Sequence, residues 1–220
     1  MTQSTPSGTS TSKYTIGGSL EYEDNPTEHI LEAPLYLEYS PSSRLTFAAQ
    51  VSLFTISSPT PEGGSESGVG DLETSIDYIF IPERRYRPAI ALTSTLRWPT
   101  ASNPAVGNSG IDGSLGIITS KDVVLCEITA SLIYTKAGDP DNSDELEMSL
   151  GVDYPVYYTA TLLAELVQTT DVDGLSSGGG RTELTLGAEW EVNPDLTLEI
   201  GVQADTDDGL RGIISWSYWL

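Results

Sequence analysis

Residues 181–220 read RTELTLGAEWEV, NPD, LTLEIGVQA, DTDDG and LRGIISWSYWL in unbroken succession. In the three longer pieces apolar side chains alternate with polar or small ones, and the two shorter pieces consist of turn-forming residues. Alternation with a period of two over about ten residues is typical of a β-strand whose two faces meet different surroundings. An α-helix cannot hold this pattern, because its 3.6-residue period would distribute the acidic side chains all around the axis.

The same alternation recurs upstream, and it predicts twelve strands in all. The predicted strands lie near residues 13–22, 31–39, 44–53, 71–80, 90–98, 111–117, 124–134, 145–154, 158–166, 181–192, 196–204 and 210–220. Short turns (SPSS, PERRYR, SKD, a turn near Pro155 and NPD) alternate with longer loops. This order is typical of an up-and-down antiparallel barrel, here one domain over 13–220. Residues 1–12 are rich in Ser, Thr, Gly and Pro, and we expect them to form a disordered N-terminal segment.

The charge balance excludes one class of partner. The chain has 10 Lys and Arg against 32 Asp and Glu, which gives a formal net charge of −22. A nucleic-acid partner is not expected, because binding to phosphates needs a basic face. No apolar run reaches the roughly 18 residues that would predict a transmembrane helix. The start, MTQSTPSGTSTSK, lacks the apolar centre of a signal peptide, and the single Cys126 cannot form an internal disulfide.

The alternation leaves two interpretations open. In a soluble acidic β-sandwich that serves as a binding module, the aliphatic face would form the core and the acids would face water. In a transmembrane barrel, the aliphatic face would contact lipid and the acids would line a hydrated lumen. Twelve strands favour the membrane, because the interior of a barrel wider than about eight strands is too large for medium-sized apolar side chains to fill.

Aromatic residues support the transmembrane interpretation. They fall at strand ends on the aliphatic face, some beside the short turns and others beside the long loops. Two levels of rings are expected where amphipathic aromatic side chains settle at the two membrane interfaces. The predicted girdle comprises Tyr14, Tyr39, Phe80, Trp98, Tyr134, Tyr154, Trp190 and Tyr218. We therefore predict an all-β, up-and-down antiparallel transmembrane β-barrel of twelve strands in an outer membrane of the Gram-negative type, with the lipid bilayer as its partner.

Several segments resemble a known family. GVGDLETSIDYIF at 68–80, RPAIALTSTLRWPTA at 87–101 and GIDGSLGIITSKD at 110–122 resemble the outer-membrane family called MetA-pathway of phenol degradation. The resemblance continues through ELEMSLGVDYPVYYTATLLAELVQ and RTELTLGAEWEVNPDLTLEIGV, and it covers roughly residues 68–220. It implies an outer-membrane β-barrel that passes small solutes, and it supplies no catalytic residues. One departure is the final residue, Leu220, where outer-membrane strands usually end in Phe.

The polar face carries the main functional prediction. Its acids are expected to line the lumen, and they are Glu32, Glu38, Glu73, Asp77, Asp112, Glu127, Glu147, Asp153, Glu165, Glu183, Glu189 and Glu199. Arg44, Arg97 and Arg211 are the basic residues expected on the same wall. Because rings of carboxylates in a pore favour cations, we expect a channel for passive diffusion of small solutes, with a preference for cations. The alternative is a structural barrel that does not conduct because its lumen is plugged, for example by residues 1–12.

The sequence predicts no enzyme, no cofactor and no metal site. His29 is the single histidine and lies in a predicted loop, where a lone histidine is usually solvated rather than part of a Ser-His-Asp arrangement. The loops DPDNSD and DTDDG hold clustered acids, but neither has the spacing of an EF-hand, and ordinary turn formation explains both. The glycine run 178–180 precedes no predicted helix, so it is not a phosphate-binding loop.

Overall fold

The computed structural model of the chain describes residues 13–59, 64–140, 142–172 and 180–220. These residues form β-strands and one short 3₁₀ helix, η1. The elements are β1 (Tyr14–Asp24), β2 (Glu28–Ser42), β3 (Leu45–Pro59), β4 (Glu66–Gly68), β5 (Leu72–Ile81), β6 (Ala89–Trp98), η1 (Pro104–Val106), β7 (Asp112–Val123), β8 (Cys126–Lys136), β9 (Glu145–Tyr157), β10 (Ala160–Asp171), β11 (Arg181–Asn193), β12 (Leu196–Asp205) and β13 (Leu210–Trp219). No helix in these ranges is long and apolar enough to span a bilayer.

The sheet closes on itself. Successive strands pair antiparallel, β3 pairs with both β4 and β5, and β13 returns to pair with β1. The three-residue β4 lies along the end of β3, and the other twelve strands form the closed wall. The predicted twelve-stranded, up-and-down antiparallel barrel is therefore confirmed. Residues 1–12, which we predict to be disordered, lie outside the described residues.

The connections differ between the two ends of the barrel. The short-turn rim consists of residues 43–44, 82–88, 124–125, 158–159 and 194–195, and β1 begins there. The long-loop rim consists of the described residues of the other connections, which are 25–27, 64–71 with β4, 99–111, 137–140, 142–144, 172, 180 and 206–209. In outer-membrane barrels the short turns face the periplasm, so the predicted outer-membrane location implies that the short-turn rim faces the periplasm.

The turn predicted at 120–122 is wrong. Strand β7 continues to Val123, and the turn follows it. Glu83 accepts hydrogen bonds from Lys121 Nζ and from the backbone N–H of Asp122, the latter at 3.1 Å. This polar run therefore stays extended, because a carboxylate from the neighbouring turn binds it.

The turn predicted near Pro155 also lies further along the chain. Strand β9 continues to Tyr157, and residues 158–159 make the turn. Proline cannot donate to a strand ladder, and it is tolerated inside a strand beside a bulge. The register between β9 and β10 does shift at this end, between Ala160 and Thr161.

The two faces of the wall meet different surroundings. Aliphatic side chains point outward and stay exposed, as Leu186 at 51 % and Ile200 at 60 % show. The intervening residues point inward, and most of them are half-buried or buried, whereas Arg97 and Arg181 near the long-loop rim are exposed. Among the described residues, the buried hydrophobic set is confined to Ala89, Ala91 and Ile118. The soluble β-sandwich interpretation is therefore wrong, because so large an aliphatic surface is stable against lipid and not against water.

Tyr36 covers the closing seam of the barrel from the inside. Gly17 on β1 lies directly opposite Tyr36 on β2 and opposite Ser217 on β13. The Tyr36 hydroxyl forms a 2.7 Å hydrogen bond with Ser217 Oγ, so its ring crosses over β1 at a position that has no side chain. A Cβ at Gly17 would collide with that ring and with the backbone oxygen of Trp216. The tyrosine thus joins the second strand to the last one.

We predict that Gly17→Ala lowers the free energy of unfolding by about 1–3 kcal/mol, because the added methyl group overpacks the seam. The matched control is Gly212→Ala on β13, where an added Cβ meets nothing within 4 Å. The control is expected to be neutral or slightly stabilising. Urea unfolding in detergent micelles, followed by tryptophan fluorescence, measures both. Equal stability of the two variants would contradict the packing described for the seam.

Candidate functional site

The candidate site is the inner wall of the barrel. Alternate residues of a strand share a face, and directly opposed residues of neighbouring strands share it as well. The acids that the sequence assigns to this wall all lie in strands, and none is exposed. They are Glu32, Glu38, Glu73, Asp77, Asp112, Glu127, Glu147, Asp153, Glu165, Glu183, Glu189 and Glu199. The fold therefore brings these side chains around one interior.

Charged residues of both signs meet near the long-loop rim. Arg211 on β13 donates to Glu23 on β1 through Nε at 3.0 Å and through one Nη, and its other Nη lies 3.8 Å from Glu21. Arg181 forms an ion pair with Glu183 on the same strand. We call these five residues, together with Glu73 and Arg97, the upper belt. Its carboxylates are largely compensated by guanidinium groups.

A second set of carboxylates lies near the short-turn rim. We call Glu38, Asp77, Asp153 and Glu189 the lower ring. Further acids adjoin it, since Glu127 lies directly opposite Asp153 and Glu199 directly opposite Glu189. The four carboxylates of the lower ring have no ion pair with a described residue, whereas guanidinium groups pair with carboxylates in the upper belt. Negative charge is therefore partly offset near the long-loop rim, and the lower ring has no such basic partner.

Between these two levels the wall is mostly small and polar. The hydroxyls of Ser131 and Ser149 form a 2.8 Å hydrogen bond with each other across β8 and β9. Glu165 is an acid at this level and lies directly opposite Gly151 and Thr185. Side chains are short here, and their hydroxyls present neutral hydrogen-bonding groups to the interior.

The predicted basic residues do not all lie on the wall. Arg97 and Arg211 belong to the upper belt, and an Arg97 Nη lies 3.4 Å from Glu73. The prediction that Arg44 lies on the inner wall is wrong, because Arg44 occupies the turn between β2 and β3 and is exposed. The pairing of Ser42 with Leu45 closes that hairpin around it. Arg44 is thus a rim residue.

The predicted lumen residues omit three members of the upper belt, which are Glu21, Glu23 and Arg181. The first predicted strand ends at residue 22, although the alternation that places Glu21 inward continues to Glu23. Arg181 begins a predicted strand, on its polar face. A cavity of about 180 Å³ marks this part of the wall, and it is lined by Glu21, Glu23, Ile30, Glu32 and Arg211. The period-two pattern, followed to the strand ends, includes all three residues.

Two aspartates accept hydrogen bonds from the loops of the long-loop rim. Asp71 accepts three backbone N–H groups from the connection 99–111, at 2.7–2.9 Å. Asp112 accepts the backbone N–H of Gly138 at 2.9 Å and the side-chain amide of Asn108. Asp112, predicted only as a lumen acid, therefore also links two neighbouring loops. This part of the rim is held together by charge-assisted hydrogen bonds, which are stronger than neutral ones.

The predicted aromatic girdle lies at the strand ends. Tyr14 and Tyr39 stack with ring centroids 5.0 Å apart near the short-turn rim. Near the long-loop rim, Trp98 is half-buried and donates through Nε1 to Thr74 Oγ1 at 3.0 Å, and Tyr134 is exposed. The remaining members, Phe80, Tyr154, Trp190 and Tyr218, are exposed as well. Rings at two heights suit the two interfaces of a bilayer.

His29 lies on the outer side of the long-loop rim. Its Nδ1 is 2.8 Å from Asp24, and its ring stacks on Tyr22 at a centroid distance of 6.4 Å. Within the described ranges, no group of His, Cys, Asp and Glu side chains is arranged to hold a metal ion. The geometry around this histidine is thus that of a rim contact.

A family match accompanies this geometry. Residues 44–213 match the family described as MetA-pathway of phenol degradation. The chain belongs to this family. The match begins in the turn before β3, earlier than the resemblance found from residue 68 onward, and it spans most of the barrel wall. No curated protein matches the chain in sequence.

Solved structures share the fold. The COG4313 outer membrane channel from Pseudomonas putida F1 superposes with a TM-score of 0.77 at 14 % identity, over 100 % of both chains. The NanC porin gives 0.69 at 11 % identity, over 93 % of this chain and 100 % of that one. The KdgM porin gives 0.65 at 8 % identity, over 93 % and 99 %. The chain thus has the fold of outer-membrane channels and porins.

We predict that the contact between Arg211 and Glu23 stabilises the closing seam. Arg211→Gln or Glu23→Gln should each lower the free energy of unfolding by about 1–3 kcal/mol, because each leaves a partly buried charge without its partner. The double variant should lose less than the sum of the two, and denaturant unfolding in micelles measures all three. Lys136→Gln is the control, because Lys136 is exposed and its partner Asp144 keeps hydrogen bonds from Tyr134 and from the backbone of Ala137, so the loss should cost under about 0.5 kcal/mol. Additive losses would contradict a direct contact.

Proposed function

We propose that the barrel is a channel for the passive diffusion of small solutes and that it prefers cations. The supporting observation is the charge of the inner wall. Its acids greatly outnumber its basic residues, and the guanidinium groups on it are confined to the upper belt. Carboxylates that line a confined aqueous path attract cations and repel anions, because the low-dielectric wall concentrates their field.

The lower ring is proposed to set this preference. In the upper belt each arginine offsets part of the negative potential, so that a permeating ion meets a mixed surface. Past the middle of the wall, Glu38, Asp77, Asp153 and Glu189 have no ion pair with a described residue. A small cation would therefore be most favoured in the short-turn half of the lumen, and a small anion would be least favoured there.

The charge also bears on the class of solute. KdgM has been solved in complex with disordered oligogalacturonate, an acidic oligosaccharide. The wall of the present barrel, dominated by carboxylates, would repel such a polyanion. We propose that its solutes are small, and neutral or cationic, with hydroxyls of the middle wall as their neutral contacts.

The test is a reversal potential measured in a planar bilayer under a potassium chloride gradient. The wild-type channel is expected to show a potential of the sign that marks potassium permeation. The variant Glu38→Gln, Asp77→Asn, Asp153→Asn, Glu189→Gln should lose at least about half of that potential, because it removes four negative charges from the lumen. An anion-selective wild-type channel would sink the proposal.

The matched control is Glu73→Gln together with Arg97→Gln. This variant removes one charge of each sign from the upper belt, so the net charge of the wall and the potential should stay unchanged. Insertion without current would point instead to a plugged barrel. In that case, removal of residues 2–12 would restore conductance if the N-terminal segment is the plug.

A further inference from the structure

The basic residues of the chain are divided between the two rims. Those near the long-loop rim are all ion-paired with described acids, and they are Arg97, Lys136, Arg181 and Arg211. The other six lie toward the short-turn rim. Lys121 is ion-paired with Glu83, and the remaining five have no ion pair with a described residue; they are Lys13, Arg44, Arg84, Arg85 and Arg87. In a chain with a net charge of −22, such a local excess of positive charge needs an explanation.

Three of these arginines share one rigid turn between β5 and β6. Arg84 and Arg87 exchange backbone hydrogen bonds of 2.9 and 3.0 Å, and an Arg87 Nη donates to the backbone oxygen of Pro82 at 3.3 Å. The guanidinium of Arg85 lies 5.2 Å from the centre of the Tyr86 ring. The turn is therefore ordered by its own contacts, and its charged groups point into the surroundings at little further entropic cost.

The position of the turn indicates a membrane interface. Tyr86 is 86 % exposed, although a tyrosine ring is only partly compatible with water. Elsewhere on the same rim Val124 is 99 % exposed and Tyr158 is 93 % exposed. Apolar and aromatic side chains at turn tips suit the headgroup region, where amphipathic rings are stabilised. Arg44 belongs to the same patch, because its backbone oxygen accepts the N–H of Ile79 at the end of β5.

We propose that the turn Arg84–Arg87, with Arg44 beside it, binds the phosphates of anionic phospholipid headgroups. Arginine presents a planar set of donors that matches phosphate oxygens. The short turns of an outer-membrane barrel face the periplasmic leaflet, which is made of phospholipid. A basic patch beside the lipid-facing wall meets those headgroups directly, whereas the acidic remainder of the protein repels them. This surface is independent of whether the lumen conducts.

The test is native mass spectrometry of the full barrel in detergent, mixed with equal amounts of phosphatidylglycerol and phosphatidylcholine. The wild-type protein should retain phosphatidylglycerol over phosphatidylcholine by at least about tenfold, since each nearby basic residue strengthens binding to anionic lipid. Arg84→Gln, Arg85→Gln, Arg87→Gln should bring the ratio close to one. Heat-modifiable migration on a gel reports whether each variant is folded.

Single variants keep the test decisive if the triple variant does not fold. Arg85→Gln removes one exposed charge whose contact among the described residues is with the neighbouring Tyr86 ring, and the ratio should fall severalfold. Lys136→Gln removes one exposed charge at the opposite rim and should leave the ratio unchanged. The proposal is overturned if the wild-type protein shows no lipid preference, or if Arg85→Gln and Lys136→Gln behave alike. It is also overturned if the protein retains polyglutamate but not phosphatidylglycerol, which would indicate an acidic protein partner.

Discussion

The absence of water inside a bilayer governs this structure. Each backbone N–H and C=O group that crosses hydrocarbon must be hydrogen-bonded within the protein, because an unsatisfied group there costs several kcal/mol. A sheet meets this requirement only when its last strand pairs with its first. The ladder between β1 and β13 runs from Thr15 opposite Trp219 to Asp24 opposite Leu210, so the closing seam is satisfied along the whole of β1 that crosses the wall.

Closure also reverses the usual arrangement of a folded domain. Once the wall separates lipid from the lumen, the aliphatic face is stable outside and the polar face must be stable inside. Charges in that interior remain compatible with folding because water or an opposite charge can reach them. Arg211 and Glu23 are an example of compensation by an opposite charge, and they lie on the two strands of the closing seam. Tyr36 adds a side-chain contact there, over Gly17.

Much of this arrangement could be predicted because a strand has a period of two. The pattern through Leu184, Leu186, Ala188 and Trp190 separates the two faces without knowledge of any partner strand. Contacts between distant strands could not be predicted in this way, because they depend on the register around the whole barrel. Arg211 and Glu23, which form an ion pair, are 188 residues apart in sequence. The hydrogen bond from Asp112 to the neighbouring loop at the rim could not be predicted either. Nor could the position of Arg44, because the hairpin between β2 and β3 has only two turn residues and places Arg44 outside the wall.

The division of charge follows from the same separation of faces. An arginine on the inner wall compensates a carboxylate and so weakens the field that a solute would meet. An arginine at a rim leaves that field intact and faces the headgroups. In this chain Arg84, Arg85 and Arg87 lie at the rim, and the lower ring lies on the adjacent part of the wall. The wall can therefore stay strongly acidic within the membrane while the outside of the same end carries positive charge, because the lumen and the lipid interface are separate environments on the two sides of one sheet.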